Sequence, residues 1–295
     1  MGHDHEGQRV SRRRLITGIS SLGLGGLLAA CGSDAGTGTA TAVTTSTGAT
    51  VTPEATTTND LTSLFSEAST CKLTQTTTQG PYYFDADKIR SDIREDKQGV
   101  RLRVAIKVQD SETCKPLPNA VVEIWHCDAA GLYSGAEAQS TGGGGGNQPS
   151  GTPPSGAPTG APPSGGPAAG GGQDGMADLT PTDDKRYLRG AQVTNSDGIV
   201  EFTTIWPGWY RGRTIHIHAM VHFSSERVLT TQMMFDEKLN SAVMAMSPYS
   251  EHTGRDTFND NDNIYDDSML MKVTKEDDGY LGVIVFAADS DKDGS

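Results

Sequence analysis

Two histidines and a tyrosine lie within nine residues of one another in this 295-residue chain. His216 and His218 are two positions apart, so on an extended strand both side chains leave the same face. Pro207 and Gly208 predict a turn just before them, which places Tyr210 on a loop beside that strand. Two imidazoles and a phenol suit a first-row transition metal. Imidazoles accept zinc, copper, iron or nickel, whereas a tyrosinate, a hard anionic donor, favours ferric iron.

Further pieces of sequence occur around this segment in a fixed order. Gly80-Pro-Tyr-Tyr83 comes first, followed by the apolar run at 120–125 and the turn Gly131-Leu-Tyr133. Tyr187-Leu-Arg-Gly190 and a second strand-like run precede the histidines, and Gln232 follows them. Taken together with Tyr-x-Gly-Arg-Thr-x-His-x-His, these motifs resemble the metal-binding core of the intradiol ring-cleavage dioxygenases. The resemblance covers the chain from about residue 71 to residue 286, with one interruption.

The resemblance implies an enzyme with a non-haem Fe(III) ion. Its metal ligands would be two tyrosines and two histidines, namely Tyr133, Tyr210, His216 and His218. The implied substrates are O2 and a small aromatic diol of the catechol type. The ring would open between its two hydroxyl-bearing carbons to give a muconate-type diacid.

Other residues receive roles only through the resemblance. Arg213 would stabilise charge on the substrate ring, Gln232 would orient groups at the iron, and Tyr210 would also accept a substrate proton. The pocket for the diol would be lined by Gly80, Pro81, Tyr82 and Tyr83.

Two other functions are compatible with the same residues. The chain could be a lipid-anchored binding module that captures catechols or polysaccharide without converting them. It could also bind zinc or copper through His216 and His218 only. Bound ferric tyrosinate would make the protein red-brown, which separates the iron enzyme from the zinc or copper protein.

Residues 1–30 resemble the export signal of a bacterial lipoprotein. Three arginines at 12–14 fit a twin-arginine motif, and the apolar run at 19–30 is too short and glycine-rich for a membrane span. The sequence Leu28-Ala-Ala-Cys31 resembles a lipobox, which implies cleavage before Cys31 and a lipid on its sulfur. The alternative is an ordinary signal peptide that happens to contain a cysteine. We expect an exported domain, anchored at the cell envelope by this lipid alone.

Two low-complexity stretches divide the rest of the chain. Residues 31–60 are mostly Gly, Ser, Thr and Ala, which predicts a disordered tether. Residues 61–295 form the predicted domain, beginning with one or two helical turns at 61–68. Within it, residues 139–176 are a Gly- and Pro-rich insert, which we expect to be a disordered surface loop. It is either a tolerated surface expansion or a lid near the iron.

The net charge of −13 disfavours nucleic acid and anionic membrane surfaces as partners. Of the four cysteines, Cys71, Cys114 and Cys127 remain if Cys31 carries a lipid. In an oxidising compartment they predict one disulfide and one free thiol, with the pairing open.

Alternation of apolar and polar residues predicts an all-β domain. Short strands separated by turn signals are typical of a β-sandwich, and the resemblance implies one of the prealbumin-like type. We expect strands at 100–108, 121–125, 199–204, 214–223, 229–235, 269–273 and 281–287, and no long helix.

Overall fold

A computed structural model of the chain describes residues 43–44, 50–51, 61–65, 71–141, 177–224 and 226–292. Strands predominate in these parts, and the helices are short: α1 (Thr62–Phe65), α2 (Glu137–Ser140) and α3 (Glu237–Met244). The strands in chain order are β1 (Val43–Thr44), β2 (Thr50–Val51), β3 (Arg101–Asp110), β4 (Val121–Trp125), β5 (Arg189–Val193), β6 (Ile199–Ile205), β7 (His216–Phe223), β8 (Glu226–Met234), β9 (Lys272–Glu276) and β10 (Gly279–Ala288).

Eight of these strands form two four-stranded sheets. The first sheet has the order β6, β3, β10, β9, and the second has the order β5, β4, β7, β8. Strands β3 and β10 are parallel over ten residues, and the other neighbouring pairs are antiparallel. The predicted all-β sandwich is therefore confirmed.

The hydrophobic core lies between the two sheets and is built by alternation along their strands. Leu102, Val104 and Ile106 of β3 enter the same buried cluster as Ile217 and Ala219 of β7. Each leucine, valine or isoleucine side chain among them contributes about 1.5–3 kcal/mol through its burial. Successive side chains of a strand point to opposite faces, so the histidines that alternate with these β7 residues lie on the outer face of the second sheet.

Several predicted boundaries were wrong. The strand expected at 269–273 is β9, which begins at Lys272, because buried Met269 ends a short 3-10 helix instead. Strand β7 begins at His216 rather than Thr214. Helix α3 was not expected; it begins after Asp236, whose carboxylate accepts a hydrogen bond from the Lys238 N–H.

The two segments of low complexity contain some ordered residues. Gln139 and Ser140, which composition assigned to the insert, end helix α2, and the Ser140 hydroxyl is bonded to the Ala136 carbonyl. Strands β1 and β2, within the expected tether, pair in an antiparallel manner. The other residues of the tether, those of the insert beyond 141 and those of the signal at 1–30 lie outside the described residues.

The structure resolves the cysteine pairing. Cys71 and Cys114 form a disulfide with Cα atoms 5.4 Å apart, and Cys127 is buried and free. Among the described residues, no helix is both long enough and apolar enough to cross a bilayer.

Candidate metal centre

One row of the second sheet carries large polar or aromatic side chains across all four strands. In the register of the sheet, Trp125 pairs with Arg189 on one side and with His218 on the other. His218 in turn pairs with Gln232 of β8. His216 lies two residues before His218 and shares its face. All five side chains are buried, so segments from elsewhere in the chain must cover this outer face.

His216, His218 and Tyr210 bring three donor atoms together. The Nε2 atoms of the two histidines are 3.1 Å apart, and the Tyr210 hydroxyl lies 3.1 Å from Nε2 of His216. Tyr210 comes from the loop before β7, as the turn residues indicated. The predicted cluster of two imidazoles and one phenol is therefore present in the fold.

Tyr133 joins this group from a loop shaped by a carboxylate. Asp128 Oδ1 accepts hydrogen bonds from the N–H groups of Ala130 and Leu132, both at 3.0 Å, and so closes the turn before Tyr133. The Tyr133 ring centroid lies 5.7 Å from that of Tyr210. Its buried hydroxyl makes no hydrogen bond of normal geometry with the described residues, and a bound cation would satisfy it.

Both imidazoles are kept in the neutral form that binds metals. Burial lowers the pKa of His216 and of His218, and the nearby Arg213 cation lowers both further. Nδ1 of His216 lies 2.6 Å from the Thr214 carbonyl oxygen, to which it must donate a proton. The lone pair of His216 is therefore on Nε2, directed at the other donors. Within the described residues, Nδ1 of His218 has no such partner.

The donor set fits ferric iron. Burial is the main cause that raises the pKa of Tyr133 and of Tyr210, so both phenols keep their protons while no cation is bound. As phenolates they would supply two hard anionic oxygens beside two imidazole nitrogens, a set suited to a trivalent ion. No group of three or more His, Cys, Asp or Glu side chains in the described parts of the chain could hold a metal. Metal binding here therefore depends on the tyrosines.

Two residues of the predicted substrate segment contact the candidate ligands. Gly80 has a φ of +71° and lies so near His218 that a Cβ atom built on it would be 3.0 Å from Cε1 of the imidazole. The Tyr82 ring stacks on that of Tyr133, with centroids 4.5 Å apart. These two residues form part of the wall around the four donors.

The other two residues of that segment point elsewhere. Tyr83 packs its ring against Trp125, with centroids 4.7 Å apart, and its hydroxyl donates to Glu123 at 3.4 Å. Pro81 is exposed. Tyr83 thus supports the wall around the four donors indirectly, by packing against Trp125.

Arg213 and Gln232, both predicted as catalytic residues, are in direct contact. Nη2 of Arg213 donates to Oε1 of Gln232 at 2.5 Å. On its other side, Nε of Arg213 donates to the Asp262 carboxylate at 2.9 Å. Sequence reasoning missed Asp262, which lies in an acidic stretch with no motif to single it out.

Arg189 is a second residue whose position the sequence did not reveal. Its guanidinium is fully buried, and burial lowers its pKa to about 10. It donates to the Tyr82 carbonyl at 2.7 Å and to the Ser134 carbonyl at 3.0 Å. Because Ser134 follows Tyr133, Arg189 ties the Tyr133 loop and the segment at 80–83 to β5.

His126 connects the two sheets. Its Nε2 bonds to the Thr204 hydroxyl, and its Nδ1 bonds to the carbonyl oxygen of Cys127, both at 2.7 Å. As a residue just past the end of β4, it reaches across to the first sheet.

A cleft of about 280 Å³ opens beside Tyr210. Its walls come from the Tyr133 loop, the start of the insert and the loop after α3. One wall is a stacked pair, Trp209 on His252, with ring centroids 4.1 Å apart. The lining residues are Ala130, Gly131, Leu132, Ser140, Thr141, Trp209, Tyr210, Arg211, His252 and Thr253.

The predicted lipidation site, Cys31, lies outside the described residues. Free Cys127, by contrast, packs in the buried cluster that contains Tyr133 and Tyr210. Burial raises the pKa of its thiol, so it stays protonated and is a poor metal ligand.

Comparison with known proteins gives consistent results. A family model described as dioxygenase matches residues 78–143. The solved structure of an intradiol ring-cleavage dioxygenase from Tetranychus urticae is 30% identical, with a TM-score of 0.60, and the match covers 75% of this chain and 96% of that one. A search of curated proteins found no match.

Two more distant structures were also found. The dioxygenase domain of a dioxygenase carbohydrate-binding protein fusion from Streptomyces sp. SirexAA-E is 24% identical, with a TM-score of 0.48, over 74% of this chain and 99% of that one. The 3-chlorocatechol 1,2-dioxygenase from Rhodococcus opacus is 19% identical, with a TM-score of 0.44, over 78% of this chain and 77% of that one.

Proposed function

Because the chain belongs to the intradiol ring-cleavage dioxygenase family, we propose that it is an Fe(III)-dependent enzyme that opens catechol-type rings with O2. The products would be muconate-type diacids. The observation that carries the proposal is the meeting of Tyr210, His216 and His218, with pairs of donor atoms at 3.1 Å. The Tyr133 hydroxyl lies in the same cluster and makes no hydrogen bond of normal geometry with the described residues. A protein that bound zinc or copper through the two histidines only would leave the phenols of Tyr133 and Tyr210 without a function. This argues against the zinc or copper protein.

The four donors would hold the ion as two phenolates and two neutral imidazoles. When bound, ferric iron would supply a Lewis acid and a template for the diol and O2. The protein contributes by exclusion of water, because Tyr133, His216 and His218 are each no more than 2% exposed. A dry site strengthens every electrostatic interaction between the protein and the substrate.

Tyr210 is placed to move a proton. Its hydroxyl oxygen lies 3.1 Å from Nε2 of His216. Tyr210 borders the cleft and is 7% exposed, whereas Tyr133 is 0% exposed. As a phenolate it would accept a proton from a catechol hydroxyl.

Arg213 and Gln232 would act on charge rather than on the metal. Arg213 stays cationic and cannot ligate another cation, so its role is to stabilise negative charge on the ring. Gln232 pairs with His218 in the sheet and contacts Arg213 directly. This position lets its amide orient groups bound beside His218.

The site takes a small aromatic diol, and we propose that Gly80 and Tyr82 form part of its wall. Both residues contact metal ligands, as described above. The cleft beside Tyr210 provides the entry.

We also propose that the enzyme works outside the cytoplasm, attached by a lipid on Cys31 after removal of residues 1–30. The twin-arginine and lipobox patterns support this location. The disulfide between Cys71 and Cys114 supports it too, because disulfides persist in oxidising compartments.

Oxygen uptake by the coloured protein tests the proposed activity. The full chain is loaded with Fe(II) without air, exposed to air, and assayed with catechols in an oxygen electrode. We expect a red-brown protein that consumes one O2 per catechol and forms a diacid. A protein that stays colourless would overturn the iron site. A coloured protein that binds catechol without oxygen uptake would identify a binding module instead.

A further inference from the structure

Asp262 is buried at the edge of the candidate centre and bonds to both the side chain and the main chain of the ligand segment. Its carboxylate is 0% exposed. Oδ2 accepts from Nε of Arg213 at 2.9 Å and from the Thr214 N–H at 2.6 Å. Oδ1 accepts from the Ile264 N–H at 2.7 Å. One carboxylate thus fixes Arg213 relative to the start of β7, two residues before His216.

The guanidinium of Arg213 is held at two of its three nitrogens. Asp262 accepts a hydrogen bond from Nε, and Gln232 accepts one from Nη2. Two bonds at different nitrogens fix the plane of a guanidinium. Nη1 makes no hydrogen bond with the described residues, so both of its N–H groups are left for a substrate.

The loop that carries Asp262 has other anchors. Arg255 forms a bidentate pair with Glu237 of α3, at 2.6 and 2.9 Å. The Asn259 side-chain amide donates to the Phe235 carbonyl at 2.8 Å. Because these bonds already tie the loop to Phe235 and to the start of α3, the charge of Asp262 is not needed to hold the loop in place.

We propose that Asp262 is a positioning residue for the reaction. It would act only through Arg213, by aiming Nη1 at the ring of the bound diol. The inference rests on the proposed function, since it assigns a task to the same site.

A double-mutant cycle tests whether Asp262 acts through Arg213. The variants are Asp262→Ala, Arg213→Ala and the double variant, each as the full iron-loaded chain. We expect Asp262→Ala to lower kcat/KM roughly 10²-fold, the usual effect of a misplacement of about 1 Å. In the Arg213→Ala background the same change should have almost no effect, because coupled residues are not additive. Asp262→Asn, which keeps an acceptor oxygen, should recover part of the loss.

Asp256→Asn is the matched control. Asp256 lies in the same loop and accepts from the Gly212 N–H at 3.2 Å, but it is largely exposed and its ion pair is with Arg211. This variant should keep wild-type turnover. Iron content and the visible spectrum are recorded for every variant and should stay unchanged, since Asp262 touches none of the four donors.

Three results would overturn the inference: full turnover in Asp262→Ala, equal losses in the two backgrounds, or loss of iron in both Asp262→Asn and Asp262→Ala. If the wild type takes up no oxygen, the proposed function fails separately. The same double-mutant cycle is then measured with catechol affinity, in the absence of O2, as the observed quantity. A coupling there supports the positioning of Arg213 by Asp262, and additive effects there overturn it.

Discussion

The indole of Trp125 lies flat against the imidazole of His218, with ring centroids 4.9 Å apart and planes only 4° from parallel. The two residues are cross-strand partners in the sheet. Because Nδ1 of His218 makes no hydrogen bond with the described residues, packing must orient this ring. Trp125 supplies one contact, and the close approach of Gly80 supplies another.

Gly80→Ala should therefore weaken iron binding. The new Cβ would lie 3.0 Å from Cε1 of His218, and the residue has a φ of +71°. The imidazole must shift, which moves its Nε2 away from the other donors. We expect a lower iron content after dialysis against a chelator, together with a weaker visible band per protein.

Gly212→Ala is the matched control for Gly80→Ala. Gly212 also has a positive φ, of +80°, but a Cβ there meets nothing within 4 Å. Both variants should lose roughly 1–2 kcal/mol of stability from the left-handed backbone. Only Gly80→Ala should lose iron. Equal iron loss in the two variants would attribute the effect to backbone strain.

The predictable part of the site was the part encoded by local spacing. His216 and His218 share a face because a strand repeats every two residues, and the turn before Tyr210 is marked by proline and glycine. Strand β3 was foreseen for the same reason, since its core residues alternate with outward ones. The bounds of strand β9 were wrong, because it is an edge strand with no buried residue to mark them.

Asp262 and Arg189 could not be found in this way. Asp262 reaches Arg213 from 49 positions along the chain, and nothing distinguishes it from the acidic residues around it. In the sequence, nothing distinguishes Arg189 from an ordinary residue of a strand. Its fully buried guanidinium is a consequence of which loops cover the second sheet, and this depends on tertiary packing.

Tyr210→Phe and Arg213→Ala should fail in different ways although they share a loop. Tyr210→Phe removes a phenolate ligand and a base, so the visible band should shift and iron should be retained less well. Arg213→Ala leaves all four donors, so colour and iron content should stay near wild type. Its turnover should fall by the equivalent of about 2.7–4 kcal/mol.

Stopped-flow spectra separate the two variants further. Mixing Arg213→Ala with catechol without O2 should still change the spectrum, and this change should decay slowly when O2 is added. Tyr210→Phe should form that spectrum slowly. If both variants lose iron equally, Arg213 holds the loop and has no separate role with the substrate.

Cys31→Ser should release the protein from membranes when the full chain is expressed in a bacterium that processes lipoproteins. The substitution removes the only sulfur that the lipobox pattern would modify. Ser33→Ala, two residues further on, should stay in the membrane fraction. The check is fractionation, with mass spectrometry of the mature N-terminal peptide. A soluble wild type with a different N-terminus would contradict the lipid anchor.

His126 should make the metal-free protein less stable in acid. Burial lowers its pKa from 6.5 to about 4, so between these values the unfolded chain binds a proton that the folded protein excludes. Stability from this group is complete above pH 6.5 and is lost as the pH falls toward 4, by at most about 3 kcal/mol at 1.36 kcal/mol per pKa unit. Urea unfolding at pH 7 and pH 4.5 measures the loss.

His126→Gln does not titrate, so its free energy of unfolding should fall less over this interval. His216 and His218 are present in both proteins, so most of their contribution cancels in the difference. The charge of His126 is the smallest of the causes that shift the pKa of either one. Parallel pH profiles for the two proteins would show that His126 does not set the acid sensitivity.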